Sequence, residues 1–296
     1  MLLRDAPEPI AEAIVGVFEG EFVRAEVQKA RDVPDDALDA RGLVLKARTW
    51  FLGGYAQTAL VEARALSRQA VELQPNYAVA HATLALISIE LTINGWGGSP
   101  ERNEQEAREA ADRALELQPD NPICLENCGL TWVHLGDVER AEHALRRAVG
   151  IAPTDVIARG HLGFAIGWAG TEDACAQESD ALLRRVRETN AEHPLAGFWP
   201  FFHSSALLRL GRIDDTIEGC RVGVEALPGF VFTHLALANA LALNGEASQA
   251  RDALARVPDV NEEMTPARYA ELVTRQSQGI QAVEINLEGL RTLGAL

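Results

Sequence analysis

The stretch Arg147-Ala-Val-Gly-Ile-Ala-Pro153 decides the fold, because two earlier stretches of the chain repeat its pattern. They are Gln69-Ala-Val-Glu-Leu-Gln-Pro75 and Arg113-Ala-Leu-Glu-Leu-Gln-Pro119. The prolines at 119 and 153 are 34 residues apart, which is the period of a repeat made of two helices and a turn. One such unit cannot bury its apolar side alone and has to stack on its neighbours. The sequence therefore predicts an array of stacked helix pairs.

The repeat that ends at Pro153 has further residues at fixed offsets. Gly129 and Ala141 are small, which lets two helices cross closely where a larger side chain would force them apart. Gly136 is placed to end the first helix, since glycine tolerates the left-handed conformation found just past helix ends. Pro153 lacks the N–H needed to continue the second helix. Larger residues at helical spacing are predicted to fill the core, namely Leu125, Cys128, Trp132 and Leu145.

This pattern resembles the tetratricopeptide repeat, which reads W-x2-L-G-x2-Y, then A-x3-F, then P. The resemblance implies an all-α fold, an α-solenoid of about six repeats with an N-terminal helix and a C-terminal helical cap. We expect an amphipathic N-terminal helix within 1–36 and capping helices over 259–296. The repeats are predicted to fill 37–258, with boundaries at 38–75, 76–119, 120–153, 154–194, 195–228 and 229–258.

Two of these repeats are longer than the regular period. Repeat two carries ten extra residues, which we place in the loop 94–100, where Trp96 would be displayed. Repeat four carries seven extra residues, which we expect to lengthen its second helix, from 172 to about 190. Both irregularities are thus predicted to lie outside the helix crossings.

Composition and charge narrow the class of partner. The net charge of −16 disfavours nucleic acid and anionic membranes, because both are bound through clustered lysine and arginine. The longest apolar stretch, 78–91, is too short to span a bilayer. We find no secretory signal and too few cysteines for a disulfide framework, so we expect a cytoplasmic protein. The predicted partner is another protein or a peptide, basic or apolar in character unless the acidic surface serves only solubility, and a homo-oligomer stays open.

Several stretches resemble one bacterial module: 10–26, 38–42, 74–85 and the closing Glu288-Gly-Leu-Arg-Thr-Leu-Gly294. The module is the C-terminal tetratricopeptide region of adenylate/guanylate-cyclase-type and winged-helix transcriptional regulator proteins. In that family a cyclase or a DNA-binding domain precedes this region, so the resemblance implies a signalling or regulatory role. Because no such effector precedes it in this sequence, we expect neither cyclase nor DNA-binding activity from it.

No arrangement of side chains in the sequence indicates catalysis. Cys124 and Cys128 share a helix face and His134 follows, but a metal site would need two more ligands. Cys128 falls at a core position, where a free cysteine packs like a small apolar residue. His81 and His234 occupy equivalent repeat positions, which indicates packing between helices. We therefore predict no enzyme activity, no metal and no cofactor.

The concave groove of the solenoid is the predicted binding site. In tetratricopeptide repeats the first helices line this face, and the second, fifth, sixth, ninth and thirteenth repeat positions supply the contacts. Aromatic side chains there are typical of interface anchors, although the phenylalanines could instead fill the core of an irregular repeat. We predict an interaction scaffold that binds a partner segment; the alternative is a small-molecule-sensing regulatory domain split from a cyclase or transcription-regulator effector. The candidate residues are Glu126, Asn127, His134, Phe198, Phe201, Phe202, Ser205, Arg209, Phe232 and Asn239.

Overall fold

The computed structural model describes residues 33–35, 38–49, 55–170, 172–189, 193–277 and 280–296. Within these ranges the chain forms helices and no β-strand, and none of the helices is long and apolar enough to cross a membrane. The predicted N-terminal helix lies outside the described residues, apart from 33–35, and stays a prediction. In chain order the helices are α1 (Ala40–Ala47), α2 (Gln57–Leu73), α3 (Ala78–Ile93), α4 (Pro100–Leu117), α5 (Pro122–Leu135), α6 (Val138–Ile151), α7 (Val156–Ala169), α8 (Asp173–Thr189), α9 (Trp199–Arg209), α10 (Ile213–Ala226), α11 (Val231–Leu243), α12 (Ala247–Ala255), α13 (Val257–Val260), α14 (Pro266–Gln276) and α15 (Ile280–Thr292).

The helices α1 to α12 pack as consecutive pairs, each with a first and a second helix. The first helices, which are α1, α3, α5, α7, α9 and α11, also pack side by side along the stack. They form one continuous layer, which we call the inner layer. Because these helices pack against neighbouring first helices and against second helices, α3, α5, α7 and α11 are buried around almost their whole circumference.

The regular repeat has the local structure that its sequence predicts. Asn121 caps α5 by accepting hydrogen bonds from the N–H groups of Ile123 and Cys124. Gly136 ends α5 with a φ of 79°, a conformation that favours glycine. Gly129 lies against Leu145 of α6, and a Cβ at Gly129 would stand 2.5 Å from Leu145 Cγ. The predicted close crossing of the two helices is therefore confirmed.

The two long repeats have different outcomes. The second helix of repeat four, α8, is 17 residues long, against 14 in α6, so lengthening of this helix accounts for only part of the seven extra residues. The prediction that Trp96 is displayed is wrong, because Trp96 is only 7% exposed. Gly95, Gly97 and Gly98 all have positive φ, which folds the loop back on itself. The indole thereby reaches the ring of Tyr55, with 6.2 Å between the ring centroids.

The equivalent histidines stabilise the turns between repeats. A ring nitrogen of His81 lies 2.9 Å from the carbonyl oxygen of Pro75, and His234 makes the same contact with Pro228 at 3.0 Å. Each histidine thus ties the start of a first helix to the boundary proline six residues earlier. Cys128 is fully buried, as predicted for a core position, and its Sγ contacts the carbonyl oxygen of Ala111.

The C-terminal helical cap lies along the inner layer. After α13 the chain returns to repeat two, where Asn261 Nδ2 donates to the carbonyl of Asn94 at 3.0 Å. The cap then makes polar contacts with successive repeats. Arg275 donates a hydrogen bond to the carbonyl of His134 in α5, and Ser277 donates one to the carbonyl of Trp168 in α7. The last helix, α15, packs on α9 and α11. The solenoid therefore closes on itself, with its first helices covered by its own C-terminal segment.

Candidate functional site

A cavity of about 150 Å³ lies between the inner layer and the cap. Side chains of α3, α5, α7, α9, α11 and α14 form its walls, so that repeats far apart in sequence contribute to one space. Most of the walls are apolar, and aromatic rings predominate. The aromatic lining residues are Phe164, Trp168, Phe198, Trp199, Phe201, Phe202, Phe230, Phe232 and Tyr269.

The aromatic wall follows from the spacing of residues in α9. Phe201 and Phe202 of α9 lie three and four residues after Phe198, the N-cap residue with helical φ and ψ, so all three project from one side of the helix. Phe202 stacks on Phe164 of α7 at 4.6 Å between ring centroids. Phe198 meets Phe230 edge to face at 4.8 Å. Such ring pairs stabilise beyond the apolar area that they bury, and they hold the wall rigid.

A buried carboxyl group, Glu90 of α3, lies in a polar cluster at the cavity. The hydroxyl of Tyr55 donates to Glu90 Oε2 at 2.7 Å, and Asn94 Nδ2 donates to that hydroxyl oxygen at 2.7 Å. Nε2 of His134 stands 3.5 Å from Glu90 Oε1. Burial and the neighbouring Glu90 raise the pKa of Tyr55 well above its usual value, so the phenol stays a donor.

A second buried carboxyl group, that of Glu126 in α5, accepts no hydrogen bond from the described residues. Its Oε1 is 3.9 Å from Nδ1 of His161, which is beyond hydrogen-bond distance. Burial raises the pKa of Glu126 to about 8, with a further contribution from Asp155, and burial lowers the pKa of His161 to about 3. Both groups are thus predominantly uncharged near neutral pH. Nδ1 of His161 and Nδ1 of His134 are buried without a hydrogen-bond partner among the described residues.

Beside the cavity, Asn239 of α11 holds the backbone of α15. Its Nδ2 donates to the carbonyl of Ile285 at 2.9 Å, and its Oδ1 accepts from the N–H groups of Gly289 and Leu290 at 2.9 and 3.3 Å. In an uninterrupted helix the N–H of Gly289 would bond the carbonyl of Ile285. The side chain of Asn239 therefore binds α15 through backbone groups of that helix. Ser205 of α9 assists by accepting a hydrogen bond from Asn286 Nδ2 at 2.9 Å.

The structure divides the predicted site residues into two groups. Ser205 and Asn239 contact α15, and Arg209 donates to the carbonyls of Gly170 and Glu172 in the turn after α7. The other seven line the cavity. The four phenylalanines among them are buried, as the core interpretation held, and whether any of the ten binds a partner stays a prediction. The seven are Glu126, Asn127, His134, Phe198, Phe201, Phe202 and Phe232.

Two polar cavity residues, Glu90 and His161, were missed from the sequence although a signal existed. Glu90 follows its boundary proline, Pro75, by the same number of residues as His134 follows Pro119. His161 lies two residues before Gly163, the glycine at the helix crossing of repeat four. Asn127 likewise lies two residues before Gly129 in repeat three. Counting repeat positions back from the closing proline hides both matches, because repeats two and four contain insertions.

Comparison with known proteins relates part of the chain to a longer one. No protein-family model matches the chain. "Putative adenylate cyclase 3" of Rhizobium meliloti (strain 1021) is 24% identical over 137 residues, which are 46% of this chain and 23% of that protein. The match thus spans less than a quarter of this curated relative.

Solved structures match over most of the chain. The human IFIT1 dimer with m7Gppp-AAAA has a TM-score of 0.62 at 15% identity and covers 86% of this chain and 59% of that one. The Cut9 and Hcn1 hetero-tetramer of the APC/C has a TM-score of 0.56 at 14% identity, with 90% and 48% covered. These likenesses concern the fold alone. Together with the 34-residue spacing and the stacked helix pairs, they show that the chain has the tetratricopeptide-repeat solenoid fold.

Proposed function

We propose that the chain is a regulatory interaction scaffold whose inner layer binds a helical segment of a partner protein. The observation that supports this most directly is the contact between Asn239 and α15. A buried amide bonds two backbone groups that belong to one helical hydrogen bond, beside a glycine that leaves room for it. Binding of a helix in a groove is a common mode of peptide recognition. Here the chain's own last helix takes the place of the partner.

The contacts suggest which segments would fit. Asn239 bonds the main chain, so it selects for helical conformation more than for a side chain. A Cβ at Gly289 would collide with the carbonyl oxygen of Asn239, so a partner helix needs a glycine at the matching position. The net charge of −16 favours a segment whose outer side is basic. The same charge is our reason to propose a protein partner and no nucleic acid.

The proposed regulatory role rests on the similarity to the Rhizobium meliloti protein. That protein is named as an adenylate cyclase, and more than three quarters of it lie outside the match. We propose that this region controls an effector of that kind by releasing or retaining α15. The cap and a partner helix would then compete for one groove. We propose no catalytic step for the residues of this chain, and a cytoplasmic location remains part of the proposal.

A labelled peptide tests the helix-binding groove. The peptide spans 280–296, and its affinity for the full chain is measured by fluorescence anisotropy. In the variant Gly289→Leu the chain's own α15 cannot seat, so the groove should accept the peptide. The parent chain should bind it at least about tenfold more weakly, because its tethered helix competes at high effective concentration.

Two variants serve as controls for that measurement. Gly150→Leu places the same side chain on α6, where a Cβ meets nothing within 4 Å, and should behave like the parent. Adding Asn239→Ala to Gly289→Leu should remove peptide binding. If Gly289→Leu gains no affinity over the parent, or if the added Asn239→Ala leaves its affinity unchanged, the proposed groove is wrong.

A second candidate function is a small-molecule-sensing domain. The observation that favours it is the aromatic-lined cavity, because small ligands bind in concave apolar sites that contain a few polar groups. This function does not depend on the displacement of α15.

A further inference from the structure

The cavity combines an apolar wall with buried polar groups, some of which have no hydrogen-bond partner among the described residues. Glu126 is 3% exposed and lines the cavity, and no described residue donates a hydrogen bond to its carboxyl group. Glu90 lines the same space. Buried polar groups are almost always hydrogen-bonded. A ligand in the cavity that donates a hydrogen bond would therefore pair with the Glu126 carboxyl group.

Among the described residues, no lysine or arginine is paired with Glu126. Arg48 is the one lysine or arginine among the described lining residues, and it does not form an ion pair with Glu126 at a distance of 4 Å or less. Its charge lowers the pKa of Glu126 less than burial raises it. The other titratable groups near Glu126 are Cys124 of the same helix and Asp155 and His161 of the next repeat, and none of them is a cation at neutral pH.

The walls suit a cation with an apolar body. Trp168, Phe164 and Phe202 line the same cavity as the two carboxyl groups. Aromatic faces attract organic cations, most strongly where water is excluded. A cavity of about 150 Å³ holds a molecule about the size of benzene. The ligand should therefore be a compact ring or a short branched chain that carries one amino group.

We propose that this cavity is a binding site for a small organic ammonium compound, with its nitrogen at Glu126 and its apolar body against Phe164, Trp168 and Phe202. The site is independent of the helix groove at Asn239, since binding of the ammonium requires no movement of α15. It would make the scaffold a sensor of amines. Because Glu126 is mostly protonated before binding, it has to lose its proton when an ammonium ion enters.

Calorimetry with benzylamine tests this proposal on the full chain. At pH 6.5 we expect binding with release of about one proton, measured by comparing buffers that differ in ionisation enthalpy. The affinity should rise about tenfold per pH unit between pH 6 and 7.5, because proton release becomes easier. Benzyl alcohol, which has nearly the same shape and no charge, should bind without proton release and with little dependence on pH.

The matched variant is Glu126→Gln, which keeps the size and the burial of the side chain. It should weaken benzylamine at least about tenfold and leave benzyl alcohol within about twofold, with an unchanged far-ultraviolet dichroism spectrum. No binding of benzylamine at millimolar concentration would overturn the proposal. Equal binding of both compounds, unaffected by Glu126→Gln, would overturn it as well, since that result describes a purely apolar cavity. Failure of either kind leaves the peptide test of the helix groove unaffected.

Discussion

Asn239 and Gly289 fit each other across 50 residues of sequence. Oδ1 of Asn239 accepts the N–H of Gly289 at 2.9 Å, and the glycine leaves the space that the Asn239 backbone occupies. The contact places α15 on the inner layer at a distance that no other residue type at 289 would permit. Substitution of Gly289 is therefore expected to displace α15.

Gly289→Ala should destabilise the cap, because the added methyl group forces α15 away from α11. We expect a loss of about 1–3 kcal/mol in the free energy of unfolding, the usual cost of overpacking. Urea melts measure the loss, and hydrogen exchange should show faster exchange within 280–292. Gly150→Ala is the control, since its Cβ is unobstructed and alanine favours the helix. Equal stability of the two variants would show that α15 is not held at Gly289.

The crossing of α5 and α6 can be tested with a double-mutant cycle. Gly129→Leu should cost about 1–3 kcal/mol by overpacking. Leu145→Ala should cost about 2–5 kcal/mol by leaving a cavity. Because Leu145 Cγ is the atom nearest to a Cβ at Gly129, the double variant should be more stable than the sum of the single effects predicts. Additive urea-melt values would contradict this register of the two helices.

Phe202→Ala should destabilise the protein, because Phe202 is a core residue. Its ring stacks on Phe164 and is 6% exposed, so truncation should cost about 3–5 kcal/mol of stability. Val222→Ala, at a side chain that is 53% exposed, should change stability by less than about 0.5 kcal/mol. Thermal or urea melts distinguish these outcomes. A melting temperature for Phe202→Ala equal to that of the parent would instead favour a surface role for this ring.

Stability should fall as pH rises through neutrality. Burial raises the pKa of Glu126 from 4.5 to about 8, so the native state retains a proton that the unfolded chain loses. The resulting stabilisation is complete below pH 4.5 and is lost as pH approaches 8. His161 acts in the opposite direction, since its lowered pKa destabilises the fold as pH falls from 6.5 towards 3.

Between pH 6.5 and 8, Glu126 still lowers the stability as pH rises, and the opposite effect of His161 is no longer present. We expect the parent to lose up to about 1.4 kcal/mol per pH unit there, the limit for one proton. Glu126→Gln should remove this slope in urea melts at fixed ionic strength. A parent whose stability is flat over this range would contradict the burial of an uncharged Glu126.

Local chemistry made the helix pairs predictable. Pro119 and Pro153 mark where second helices end, Asn121 and Gly136 delimit α5, and the small Gly129 indicates where Leu145 approaches. Each of these effects acts within one repeat, over a few helical turns. A sequence with a 34-residue period therefore contains the information for stacked pairs, independently of where the stack ends.

The tertiary structure decided the rest, because it depends on contacts between distant residues. Asn261 meets Asn94 across 167 positions, and this closure brings the cap onto the inner layer. Phenylalanines that local spacing places on an open groove are thereby buried, and Trp96 is turned inward by its glycine-rich loop. The sequence by itself determined the helices, their pairing and the residues on the inner layer. Only the path of the superhelix determined what covers that layer, since small rotations between repeats add up along the stack and no single repeat encodes their sum.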